Sequence, residues 1–182
     1  MAAIPASADI LATPFLGKTF AAQTTFQTAD LGIASPKWIF GASAAWLGAG
    51  VLGAELDLGY VQRPFDSGLD ITKSGSNVTT LTGNVILAVP LTVTRESLRP
   101  YLVAGFGVMH AGADDLVSNA PVDRNLTAIS LGGGAIGFLT PRTGLRFDLR
   151  QIRSVSSGVD TAGDRHAQLG LWRATVGVVI RY

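Results

Sequence analysis

The segment from Trp172 to Tyr182 alternates with a period of two along its whole length. One set of positions holds Trp172, Ala174, Val176, Val178, Ile180 and Tyr182, and the other holds Arg173, Thr175, Gly177, Val179 and Arg181. A β-strand sends successive side chains to opposite faces, so this is a strand with one apolar face and one polar, partly cationic face. A helix of 3.6-residue period would scatter the two sets around its axis. The segment must therefore lie at a boundary between an apolar and a polar medium.

The same demand recurs along the chain. Strand signals fall near 11–21, 38–47, 51–62, 77–89, 99–109, 126–139, 145–153 and 169–182. Most are close to the ~9–11 residues that a tilted strand needs to cross a bilayer. Leu52, Ala54, Leu56, Leu58 and Tyr60 alternate with Gly53, Glu55, Asp57 and Gly59. Leu145, Phe147 and Leu149 alternate with Arg146, Asp148 and Arg150. Leu102, Ala104, Phe106 and Val108 oppose Tyr101, Val103, Gly105 and Gly107 with less contrast, and Gly132-Gly133-Gly134 leaves the sixth strand's register open. The connections alternate in length: 22–37, 63–76, 110–125 and 154–168 are long and polar, while 48–50, 90–98 and 140–144 are shorter and carry Gly or Pro. Long loops at one end and short turns at the other are a feature of membrane barrels.

Composition agrees. Gly at 22 of 182 residues disfavours a helical protein, and charged residues are only 15 %. Mean hydropathy is +0.35, yet the apolar residues come in short runs. The longest uncharged apolar run, 38–54, contains Gly41, Gly48, Gly50 and Gly53 and reads as strand, turn and strand rather than a transmembrane helix. A net charge of +1 gives no electrostatic case for nucleic acid. The absence of cysteine excludes disulfides and thiolate metal ligands. At the N-terminus, Ala6-Ser7-Ala8 fits a small-residue cleavage pattern. Residues 1–10 are thus read either as a disordered tail or as the remnant of a signal peptide.

Aromatic spacing supplies a length. Trp38 and Trp46 share a face ~26 Å apart along a strand, or ~20 Å in height after tilting by roughly 40°. Trp172 and Tyr182 give ~33 Å and ~25 Å by the same conversion. Together with Tyr60 these residues are expected to form aromatic girdles at the edges of an outward apolar band.

In strand count, loop alternation and the closing Val176-Gly177-Val178-Val179-Ile180-Arg181-Tyr182, residues 11–182 resemble the small OmpA-like barrels of bacterial outer membranes. The resemblance implies an all-β, eight-stranded antiparallel up-and-down transmembrane β-barrel in the bacterial outer membrane. Its implied surroundings are outer-membrane lipid, an extracellular partner reached through long loops, and the barrel-assembly machinery. Val178, Ile180 and Tyr182 would form the assembly signal that the machinery reads. It implies no cofactor and no enzymatic activity.

On this register Lys18, Glu55, Asp57, Arg99, Arg146, Asp148, Arg150, Arg173 and Arg181 are expected to point inward, six basic against three acidic. Charges enclosed by so narrow a barrel have to be paired or hydrated. They would form either a lumenal ion-pair network that stabilises the barrel or a narrow anion-preferring pathway. The alternative is a soluble lipocalin-like barrel binding an apolar ligand, with the faces inverted. A lipid-modifying barrel enzyme would need a nucleophile or acid–base group that does not emerge. Gly48-Ala49-Gly50-Val51-Leu52-Gly53 matches G-x-G-x-x-G, but the alternation that follows makes it a hairpin rather than a dinucleotide site. His110 and His166 lack metal-ligand spacing, and Asp114, Asp115, Asp160 and Asp164 read as solvated loop acids.

Overall fold

In the computed structural model, eight antiparallel strands pair in sequence order and close into a barrel. The structure describes residues 8–24, 36–62, 76–94, 98–113, 122–155 and 169–182. The strands are β1 (Ala8–Thr24), β2 (Lys37–Gly48), β3 (Leu52–Gln62), β4 (Ser76–Ala88), β5 (Arg99–Ala113), β6 (Val122–Phe138), β7 (Thr143–Val155) and β8 (Leu169–Arg181). A single helical turn, α1 (Leu91–Thr94), sits between β4 and β5. Most boundaries fall within a few residues of the expected ones. β1 starts at Ala8, three residues into the segment expected as a tail, and β5 and β6 run farther toward the connection between them.

The register fixes the barrel's geometry. Stepping across hydrogen-bonded neighbours from Asp9 leads through Leu47, Gly53, Ile86, Val103, Gly132, Arg150 and Arg173 back to β1 at Thr19. The path returns ten residues higher than it began, which is the stagger of the barrel. For eight strands that stagger sets a tilt of roughly 40°, so each residue advances ~2.5 Å along the axis. Closure pairs the backbone groups of every strand, the condition for crossing hydrocarbon without an open edge.

The faces sort as a membrane barrel requires. Leu52, Leu56 and Leu58 are exposed on the outside of β3, while Glu55 and Asp57 are buried within. Leu102, Phe106 and Val108 face out from β5, and Tyr101, Val103 and Met109 face in. A soluble lipocalin-like barrel would show the reverse, so that alternative is not what the chain builds. Gly48 to Gly53 joins β2 to β3 through a tight turn, and no helix starts there.

Two lumenal aromatic rings sit directly opposite glycines. Phe15 pairs with Gly41, whose missing side chain leaves a would-be Cβ 2.6 Å from the ring, and Tyr101 pairs with Gly134. Large rings fit inside this narrow tube because a neighbouring strand gives up its side chain at the same level.

Candidate functional site

Six of the nine charges expected in the lumen meet in one layer. β3 supplies Glu55 and Asp57, β7 supplies Arg146, Asp148 and Arg150, and β8 supplies Arg173. Arg150 is the hub. Its Nη2 lies 2.7 Å from Glu55 Oε1, its Nε donates to Asp148 Oδ1 at 2.6 Å, and its Nη1 is 3.7 Å from Asp57 Oδ2. Arg146 pairs with Glu55 and reaches Asp148 Oδ2 at 3.3 Å, and Arg173 Nη2 donates to Asp57 Oδ2 at 2.7 Å. Arg150 and Arg173 are each only 1 % exposed. Buried guanidinium groups hold here because forked donors meet several carboxylates at once, three cations against three anions.

Uncharged groups complete the layer. The Tyr101 hydroxyl donates to Asp148 Oδ2 at 2.5 Å and accepts from Arg146 Nε at 2.7 Å. Arg146 Nη1 donates to Ser43 Oγ at 3.2 Å, and Asn84 Nδ2 donates to Glu55 Oε1 at 3.2 Å. The Arg173 guanidinium lies 5.1 Å from the Phe15 ring centre. The sequence reading missed Tyr101, Ser43, Asn84 and Phe15 as partners. For Tyr101 a signal existed: it shares its parity in β5 with Arg99.

Apolar side chains close the lumen on both sides of this layer. Toward the short turns, Leu11, Leu47, Ile86, Val103, Ile136 and Val179 form one buried cluster, with Phe138 packed against it. Toward the long connections, Val78, Met109, Ala128 and Ile152 form another, backed by Leu126 and Leu171. Between them remains a cavity of about 10 Å³ beside Asp57, Arg146, Arg150 and Arg173, room for one water.

The other three expected lumenal charges lie elsewhere. Arg99 and Arg181 face inward but at the short-turn end. Arg99 Nε donates to Val89 O at 2.8 Å, and its Nη2 donates to Gly48 O at 2.9 Å and Gly50 O at 2.5 Å, tying two turns together. Arg181 Nε lies 3.3 Å from Asp9 Oδ2, with its guanidinium 3.7 Å from the Phe138 ring centre. The expectation for Lys18 was wrong. It shares its parity with Ile10, Leu16 and Phe20, faces outward, and places its ammonium 5.0 Å from the Trp38 ring centre. A long alkyl stem near a strand end lets the charge reach the edge of the apolar band, which an inward position would not allow.

The expected girdle residues lie on the outer wall at the two ends of the band. Trp38 and Trp46 are 59 % and 61 % exposed, and Tyr182 is also exposed, its amide donating to Ile10 O at 2.9 Å. Tyr60 packs against Phe40 with ring centres 5.2 Å apart, and Trp172 stacks on Phe20 at 6.4 Å. Val178 and Ile180 face outward on β8, below Trp172. His110 is exposed near the long-connection end of β5. His166, Asp114, Asp115, Asp160, Asp164 and residues 1–7 lie outside the described residues. Among the described residues no group of three or more His, Cys, Asp or Glu is placed to hold a metal ion.

No protein-family model matches the chain, and no curated protein matches it. Solved structures do. Neisserial surface protein A (NspA) is similar over 95 % of this chain and 97 % of its own, at 14 % identity and a TM-score of 0.70. The outer membrane protein OprG of Pseudomonas aeruginosa is similar over 97 % of both chains, at 14 % identity and a TM-score of 0.60. The attachment invasion locus protein Ail of Yersinia pestis, solved with the heparin analogue sucrose octasulfate, covers 96 % of this chain and 99 % of its own, at 13 % identity and a TM-score of 0.59. The chain thus has the fold of the small eight-stranded outer-membrane β-barrels.

Proposed function

We propose that this protein resides in the bacterial outer membrane and acts at the cell surface through its long connections, with the barrel as an inert anchor. The observation that carries this reading is the filled lumen. A charge-balanced ionic layer lies between two apolar layers, and the cavity left holds no more than a water. The anion-preferring pathway rested on an excess of lumenal cations. That excess disappears once Lys18 is outside and Arg99 and Arg181 are engaged at the turns.

Function then falls to the connections 25–36, 63–75, 114–121 and 156–168, which link strand ends that lie at one end of the barrel. Surface-directed neighbours such as NspA and Ail support this assignment by analogy of fold. The extracellular partner is to be sought with those connections. Tyr182, with Ile180 and Val178, is proposed as the segment read by the barrel-assembly machinery. Single-channel recording tests the central point. Conductance should stay at the empty-bilayer baseline at all salt concentrations, and discrete anion-selective openings would overturn it.

A further inference from the structure

The barrel wall is interrupted at one of its seams. Between β1 and β8 the paired positions run from Leu11–Arg181 and Ala12–Ile180 to Phe15–Gly177 and Leu16–Val176, with none at Thr13 and Pro14. Over the described residues the other seams run without a gap or a shift of register. Farther up, the β1–β8 seam also shifts register between Phe20 and Gln23.

Covalent chemistry explains the gap. The Tyr182 amide donates to Ile10 O at 2.9 Å, so Ile10 turns its backbone polar groups toward β8, and Ala12, Pro14 and Leu16 follow in steps of two. Pro14 therefore stands across from Val178, where any other residue would donate an N–H, and proline has none. The Val178 carbonyl receives no bond from β1, at a depth where hydrocarbon offers no water to replace it.

Side chains brace this seam poorly at the same level. The lumenal pairs just above the gap, Phe15–Gly177 and Gly17–Thr175, each contain a glycine, so in neither do two side chains meet. Behind them lies the cavity of about 10 Å³, bordered by Thr13, Phe15, Thr175 and Gly177. β1 places no charged group in the ionic layer, and Phe15 meets Arg173 only as a ring against a guanidinium, 5.1 Å apart. The seam is held at its ends instead. Phe20 stacks on Trp172 at the upper end, and Asp9 meets Arg181 at 3.3 Å at the lower.

We infer that the wall opens locally between Pro14 and Val178, as a slit between two held ends, while the other seams stay shut. Parting two strands costs the bonds and contacts between them. Here one bond is missing from the start, and the space behind it leaves fewer contacts to lose. The slit is a property of the barrel wall, independent of what the long connections bind.

Amide hydrogen exchange, read residue by residue by NMR on the full chain refolded in detergent micelles, tests this. The amides of Ala12, Leu16, Val178 and Ile180 face the β1–β8 seam. After correction for intrinsic rates they should exchange about tenfold faster than those of Val85 and Ala104, a bonded pair across β4 and β5 at similar height. The amides of Leu11, Thr13 and Phe15, which face β2, should stay as slow as that pair. Pro14→Ala supplies the missing donor and should bring the seam amides to the β4–β5 rate. Uniform protection of all these amides overturns the slit. Equally fast exchange on both sides of β1 also overturns it, because that would be fraying of a terminal strand. Fast seam exchange that persists in Pro14→Ala would show that the proline is not its cause, with the same consequence. The comparison within the parent chain decides the matter even where that variant fails to refold.

Discussion

Tyr101 on β5 stands directly across from Gly134 on β6, and a Cβ at Gly134 would lie 2.5 Å from the Tyr101 hydroxyl oxygen. That hydroxyl links Asp148 to Arg146, so a glycine that carries no charge holds open the place where the ionic layer is completed. Gly134→Val should displace the ring and cost about 1–3 kcal/mol through overpacking. Tyr101→Phe should cost a similar ~1–3 kcal/mol by leaving buried polar partners unmet. Urea unfolding in lipid vesicles measures both.

Arg150 touches three carboxylates, those of Glu55, Asp57 and Asp148. Arg150→Met keeps the volume but strands buried negative charge, and should destabilise the barrel by about 3–5 kcal/mol. The apolar layers above and below do not depend on Arg150, so the variant should remain non-conducting. Unfolding midpoints and bilayer recordings on the same preparation separate the two effects.

Depth along β8 gives a graded prediction. Val176 and Ile180 both face outward, but Val176 lies near the middle of the band and Ile180 near its short-turn edge. Val176→Arg should lower stability in the membrane by roughly 2–4 kcal/mol, and Ile180→Arg by about 0–1 kcal/mol. Equal effects would mean that the band is centred elsewhere.

Tyr182 faces outward at the end of β8, and its amide donates to Ile10 O. Tyr182→Ala preserves that backbone bond. The variant should therefore refold in detergent like the parent while accumulating more slowly in the outer membrane of cells, as read by a heat-shift assay on membrane fractions. Equal slowing in detergent would assign Tyr182 to barrel stability rather than to assembly.

The strand count, the closure and most of the inward–outward parities were legible in the sequence, because each strand must satisfy two media at once. β3 and β8 carry charges on one face only, and β7 does so from Arg146 to Arg150, so their register could be read residue by residue. β1 could not. Ala12, Pro14, Phe15, Leu16 and Gly17 give little contrast between faces, and the one charge in that stretch, Lys18, belongs to the outer set. The composition of the ionic layer was partly legible and its pairing was not. Which arginine meets which acid depends on the stagger between strands, and that is fixed by all eight pairings together. The two apolar layers escaped notice for the same reason, since Met109, Ala128 and Ile152 come to one level only when the barrel closes.

The most direct measurement is refolding of the full chain into detergent or lipid vesicles, followed by gel electrophoresis of unboiled and boiled samples with circular dichroism on each. A β-rich species whose mobility shifts only on boiling, and which precipitates when the amphiphile is withdrawn, is the predicted result. A chain that is β-rich and monomeric in plain buffer, with no heat-dependent shift, would contradict a barrel whose apolar face is turned outward to lipid.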